Sequence, residues 1–343
     1  MSNWWPLIRL LPKKTDFRFV SYSKGMGIIS LVLVILSFVA MFSGGLRQNP
    51  ADIWANAGPG IEDKVMAFAC SGFNCGVDFK GGTSMVLIFP EAAPLAEIRA
   101  AASAFIDGDV QVQTYGEINQ ALLRFETPDD VNPTTYVGTV KERLSAMVPN
   151  ITYGQTEAVG AKVSGELFEA GVFALGLAIL LMLVYIWFRF ELNYGIGAVL
   201  ALFHDVILTM GLLSVLQMEF SLTSIAALLT IIGYSMNDTV VVFDRMRENR
   251  RKYKKMPWAE LVDLSVNETL SRTIITGGTG VLALLGLCIL GGPAMFTFAF
   301  AMVFGIIVGT YSSIYVAAPA VLWFANKTPK VQTADDVEAN AMP

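Results

Sequence analysis

Charge is what this chain has least of. Only 15% of its 343 residues are Asp, Glu, Lys or Arg, against about 25% in an ordinary soluble domain. Hydrophobic residues make up 54% and the mean hydropathy is +0.55, which favours a membrane class. Histidine occurs once, His204, and cysteine three times, at Cys70, Cys75 and Cys288; these residues cannot supply a structural zinc site of the usual spacing, so no metal is expected. H-E-x-x-H, G-x-S-x-G and phosphate-loop sequences are missing. An intramembrane protease or nucleotide hydrolase would therefore lack its metal, nucleophile or phosphate cradle. No enzymatic activity and no cofactor are expected. The net charge of -5 says little about partners, because Lys and Arg are clustered in a few segments.

What the chain has instead is long apolar runs, around 26–42, 170–188, 195–216, 222–243, 273–291 and 295–324. Each approaches the ~20 residues that cross about 30 Å of hydrocarbon as a helix. The fold class expected is an α-helical polytopic membrane protein with six transmembrane helices. The first run is short enough to pass for a signal-peptide core, but no small-x-small site follows it and the basic leader is long. Lys and Arg cluster in the leader 1–25 and after the fourth run, in a loop read as 244–272. The turns 217–221 and 292–294 have none. Basic segments stay inside, so both termini, including the tail 326–343, are expected in the cytoplasm.

That puts residues 43–167 outside, between the first helix (26–42) and a five-helix region (168–325). Strand-like runs occur at Ser84–Phe89, Val110–Tyr115, Gln120–Phe125 and Ile151–Gln155, and helical patterns at Leu95–Phe105 and Pro133–Met147. The β-α-β-β-α-β order predicts an exterior α+β ferredoxin-like domain, a fold that specifies no function. Its acidic excess argues against a nucleic-acid partner. Cys70 and Cys75 lie in its leading loop, where an oxidising exterior would allow a disulfide; two free thiols are the alternative.

A carboxylate inside a span costs about 2.5–3.5 kcal/mol on insertion scales, so it normally faces protein, water or a cation. Asp238, beside Asn237, falls inside the fourth run, ~8 Å from the boundary at Phe243. It reads as an ion-coupling group, with a structural aspartate as the alternative. Arg272, at the entrance to the fifth run, is the cation a long side chain could bring near it. His204 and Asp205 lie near the middle of the third run, with Thr209 on the Asp205 face; packing and ion transfer are equally open there. Glycines at Thr276-Gly-Gly-Thr-Gly and the pair Gly305 and Gly309 read as close helix packing.

Four stretches resemble the SecD/SecF family of bacterial protein-export membrane proteins. Gly76-Val-Asp-Phe-Lys-Gly-Gly-Thr83 is similar to the family's G-[IV]-D-F-x-G-G-T signature, and Glu157–Leu167 to the element before the second span. Ile232–Asn249 resembles the fourth-span signature almost residue for residue, and Asn267–Thr273 its fifth-span counterpart. The resemblance implies a six-helix unit of the resistance-nodulation-division type that pairs with a second unit and uses the proton-motive force to help move polypeptide outward. It implies SecD, the SecYEG channel, YajC and the unfolded polypeptide as partners, the bacterial inner membrane as location, and protons as the coupling ion. It further implies that Asp238 and Arg272 belong to the proton pathway, with another aspartate supplied by SecD, and that Asp78, Gly81, Gly82 and Thr83 form the signature loop. Ala161 stands where the pattern has proline, so a kink there is expected to be lost. A small-molecule exporter subunit of the same superfamily and a non-transporting scaffold of the export channel are the rival readings.

Overall fold

The computed structural model describes residues 15–47 and 70–325, except 107, 109, 129 and 130, with a few isolated positions between 48 and 69. Most of the basic leader, the first part of the expected exterior segment and the tail 326–343 lie outside the described residues. Among the described residues, six helices are long and apolar enough to cross a membrane. Span one is Phe19–Arg47, span two Ala161–Arg189, span three Leu192–Val215, span four Leu222–Lys252 and span five Trp258–Leu290. Span six runs Gly292–Ser312, then through a π-helical turn, Ser313–Ala317, into Ala318–Ala325.

Several helices outrun their apolar windows. Span one begins seven residues before 26, and the segment read as a loop, 244–272, is helical except between Lys252 and Trp258. Hydropathy stops at the first charges, whereas Arg, Lys, Glu and Leu are good helix formers. Arg245 also pairs with Glu248 one turn on at 3.0 Å. Beyond the apolar section spans four and five remain joined, since the Asn249 amide donates to Ser265 Oγ (3.1 Å) and to Glu268 Oε2 (2.8 Å). Ala161 is the first residue of span two, after Gly160 at the N-cap. Proline fits that position without bending a helix, so alanine removes no kink.

Between spans one and two lies the expected ferredoxin-like domain. After the two-residue strand β1 (Asn74–Cys75) come β2 (Gly82–Ile88), a helix (Leu95–Ser103), β3 (Val110–Tyr115), β4 (Glu117–Phe125), a second helix (Pro133–Met147) and β5 (Thr152–Val159). The sheet order is β3-β4-β2-β5, antiparallel throughout. Alternation along the strands sends Met85, Leu87, Ala121 and Leu123 to one face, where they bury against Ile98, Val140 and Leu144 of the two helices. Asn132 caps the second helix, accepting from Thr134 N at 3.0 Å, with Pro133 at its first position. β4 starts three residues before the predicted Gln120 and β5 ends four after Gln155. Ladder pairing, such as Ser84 with Glu157, sets those ends where hydropathy gives no signal.

The opposite face of the sheet carries Ser84, Val86 and Leu122. It looks across a cavity of about 310 Å³ to Ser221, Thr223, Ala294 and Met295 at the ends of the spans. Within the bundle two apolar clusters form. One holds Phe79, Phe168, Phe220, Leu228 and Ile306 on the domain side; the other holds Phe190, Tyr194, Phe243, Met246 and Leu261 toward the basic end.

Candidate functional site

A polar seam runs between these clusters, and its two carboxylates have different partners. Asp238, on span four, accepts from Thr273 Oγ1 of span five at 2.5 Å on one oxygen and from Ser313 Oγ, in the π-helical turn, at 2.6 Å on the other. Asp205, on span three, accepts from Ser312 Oγ at 2.8 Å and from Ser235 Oγ of span four; His204 Nδ1 lies 2.8 Å from its other oxygen. Ser235 and Asp238 sit three residues apart, on one face of span four, yet face different partners. Spans three, four, five and six are thus tied at one level by side chains that would otherwise be costly in hydrocarbon.

The helices approach closely enough for this because of the small residues noted in the sequence. A Cβ on Gly309 would lie 2.9 Å from Ser235 Cβ, and one on Gly305 would meet Ile231 at 2.4 Å. The π-helical turn begins at the serine that reaches Asp238; such turns re-aim side chains and concentrate at functional sites.

Arg272 does not touch this seam, although it lies near enough to Asp238 for their charges to interact. Its neighbour Thr273 is buried and bonded to Asp238, but Arg272 is exposed and makes no ion pair or hydrogen bond with Asp238. One helical step turns it about 100° from Thr273, toward whatever lies outside this chain. Asn237 is likewise exposed, at a cleft of about 420 Å³ between spans two and four that also exposes Tyr185 and Gly233. His204 is buried and stacks on Tyr311 with ring centroids 6.0 Å apart. Thr209 Oγ1 donates to the Asp205 backbone carbonyl at 2.8 Å.

The signature loop forms a joint between the domain and span four. Val77–Lys80 is a single helical turn that buries Phe79 against Phe168 and Phe220. Asp78 Oδ2 accepts from Leu222 N, the first N–H of span four, at 3.0 Å. An acidic group there meets both an orphan donor and the positive end of the helix dipole. β1 pairs in parallel with β6 (Glu219–Phe220), just before that helix. Gly81 and Gly82 have φ of +74° and +98°, and a Cβ on Gly82 would stand 2.6 Å from Phe125 O; only glycine makes this turn cheaply. Thr83 is buried, with its hydroxyl 2.8 Å from that of Thr127. Cys70 and Cys75 are joined as a disulfide just before the loop, with Cα atoms 5.5 Å apart.

Arg124, on β4, completes the joint. It donates to Asn74 Oδ1 at 3.1 Å and pairs with Glu219 at 2.5 Å. Burial pushes the Glu219 carboxyl above its ordinary value, and Arg124 only partly counters it. Composition gave no hint of Arg124, Glu219, Thr273, Ser235, Ser312 or Ser313. The one available signal was the three-residue spacing of Ser235 and Asp238.

Six spans, a ferredoxin-like domain inserted after the first, and a carboxylate seam at the bundle's centre define a polytopic membrane protein with a polar site buried between its helices. The family described as "Protein export membrane protein SecD/SecF, C-terminal" matches residues 139–327, and this chain belongs to the SecD/SecF family. It is 39% identical over 321 residues to the protein translocase subunit SecF of Rickettsia felis, covering 93% of this chain and 96% of that one. It is 43% identical over 267 residues to the SecF of Cereibacter sphaeroides, covering 76% and 82%. The crystal structure of SecDF, a translocon-associated membrane protein from Thermus thermophilus, superimposes with a TM-score of 0.75 at 32% identity. That match takes in 91% of this chain and 39% of the longer SecDF chain.

Proposed function

We propose that this chain is an auxiliary subunit of Sec-type protein export that works beside a SecD chain and uses the proton-motive force to assist polypeptide movement across the bacterial inner membrane. Asp238 is the observation that carries the reading. It is a carboxylate within a span, held by two hydroxyls, and no cation among the described residues is in contact with it. When the carboxylate takes a proton it must donate to one of those hydroxyls, which then has to turn away. Ser313 already has a second acceptor, Thr310 O, at 2.9 Å, so its hydroxyl has somewhere to go. Proton binding therefore loosens span four from the π-helical turn of span six.

Span four begins at Leu222, under the Asp78 carboxylate and beside the β1–β6 pair. A shift of this helix is thereby passed to the domain, which acts on the polypeptide emerging from the SecYEG channel. Arg272, exposed beside Thr273, faces the proton path at the surface shared with SecD, which supplies the further aspartate. YajC completes the assembly, and both termini lie in the cytoplasm. Each charge crossing 100 mV makes available about 2.3 kcal/mol, which biases a two-state packing equilibrium by roughly fiftyfold.

The test is proton flux across vesicles containing this chain with and without SecD. Flux that requires both chains and disappears with Asp238→Asn is expected; flux that is indifferent to Asp238 would leave the residue structural.

A further inference from the structure

A proton site at Asp238 leaves His204 and Asp205 unused, yet they are 5% and 1% exposed in the middle of the bundle. Each polar partner of the Asp205 carboxylate among the described residues can donate to it. Ser235 and Ser312 hydroxyls donate to one oxygen, and His204 Nδ1 lies 2.8 Å from the other. Ser312 Oγ also lies 3.1 Å from Gly309 O, but its contact with Asp205 is shorter, at 2.8 Å. An ionised carboxylate suits all three contacts at once, since hydroxyls and a ring N–H can each donate to it.

An ion this deeply buried is costly unless a cation touches it. The groups that surround the pair are Ser235 from span four, Tyr311 and Ser312 from span six, and Ser30 and the Met26 carbonyl of span one, which reach it through the Tyr311 hydroxyl. All are uncharged side chains or backbone, and no Lys or Arg among the described residues pairs with Asp205. Among the described residues, His204 is the group placed to carry the balancing charge. Its Nε2 has no partner among the described residues, while its ring lies at 27° to the face of Tyr311, a surface that attracts a cation.

We propose that His204 is an imidazolium ion bound to the Asp205 carboxylate, and that this fixed charge pair positions Ser235 and Ser312, and so the neighbouring Ser313 that bonds the coupling carboxylate. The two carboxylates then have separate duties. Asp205 is compensated within the chain and keeps its charge, whereas Asp238 has no cation in contact among the described residues and is left to exchange a proton. The positioning role rests on the Asp238 reading; the charge pair itself does not.

His204 is the sole histidine, so nitrogen-15 histidine labelling of the full chain, purified with SecD in lipid through a histidine-free tag, gives a single imidazole to read by magnetic resonance. Two protonated ring nitrogens at neutral pH are expected in the parent and in Asp238→Asn, and a neutral ring in Asp205→Asn. A neutral ring in the parent overturns the proposal, and this measurement needs no variant to fold. His204→Gln is expected to lower gradient-driven export about tenfold and to move the pH of half-maximal export. Adding Asp205→Asn is expected to recover part of that loss, because it restores charge balance. Unmoved pH dependence, or a double variant no better than His204→Gln, would remove the positioning role. Failure of the Asp238 reading looks different: the imidazolium persists, and Asp238→Asn exports normally.

Discussion

Ser312 and Ser313 are neighbours in the chain and donate to different carboxylates, Ser312 to Asp205 at 2.8 Å and Ser313 to Asp238 at 2.6 Å. Successive residues on a helix point about 100° apart, so one turn of span six reaches span three with one serine and span four with the next. Any movement of this turn changes both contacts together.

Ser313→Ala removes one of the two donors to Asp238. A hydrogen bond to a charged group contributes about 1.5–3 kcal/mol, so gradient-driven export should fall at least tenfold while the chain still co-purifies with SecD. Ser313→Thr keeps the hydroxyl and should retain most activity. Export assays in inverted vesicles make the comparison.

The Asp78 cap predicts a different kind of defect. Asp78→Ala exposes the first N–H of span four and should lower stability by about 0.5–2 kcal/mol, read by thermal unfolding in detergent. Proton binding at Asp238 should survive while export falls, because the joint between helix and domain is what has been loosened.

Glu219 gives the joint a pH dependence. Burial raises its folded-state carboxyl above the ordinary value of 4.5, Arg124 opposing. The folded protein therefore holds this proton more tightly than the unfolded chain does. Stability is highest below the ordinary value and declines as pH rises through the raised one. Unfolding temperatures measured across the mildly acid range should show that decline in the parent and a flatter profile in Glu219→Gln.

The Cys70–Cys75 bridge closes a short loop ahead of the joint, for which the chain-entropy model gives about 2 kcal/mol. Alkylation of native protein should label these cysteines only after reduction, and the double Cys→Ser variant should unfold at lower temperature.

Gly309 tests the close packing. A Cβ there would already be 2.9 Å from Ser235 Cβ, so Gly309→Val should push spans four and six apart and cost about 1–3 kcal/mol. Export should fall with it, as measured on chain that still inserts and co-purifies.

Much of this architecture could be read from the sequence because it depends on local patterning. Apolar runs found the six spans, and period-two alternation with Pro133 found the domain's order. Helix ends were misplaced where charged helix formers carried spans four and five past the apolar windows. Asp238 and Asp205 stood out because carboxylates are costly in hydrocarbon. Their hydroxyl partners did not, because Thr273, Ser312 and Ser313 are ordinary residues in spans, and only the tertiary fold brings them to the acids. Arg272 shows the converse: a suggestive position in sequence proves to be exposed, one residue away from the group that makes the contact.

The central claim is that Asp238 couples the proton gradient to export. It is tested most directly by measuring export into vesicles containing SecD, the channel and either the parent chain or Asp238→Asn, with and without an uncoupler. The account predicts that the variant assembles normally and that its export equals the uncoupled level of the parent. Export by Asp238→Asn that still rises with the gradient to the parent level would contradict it.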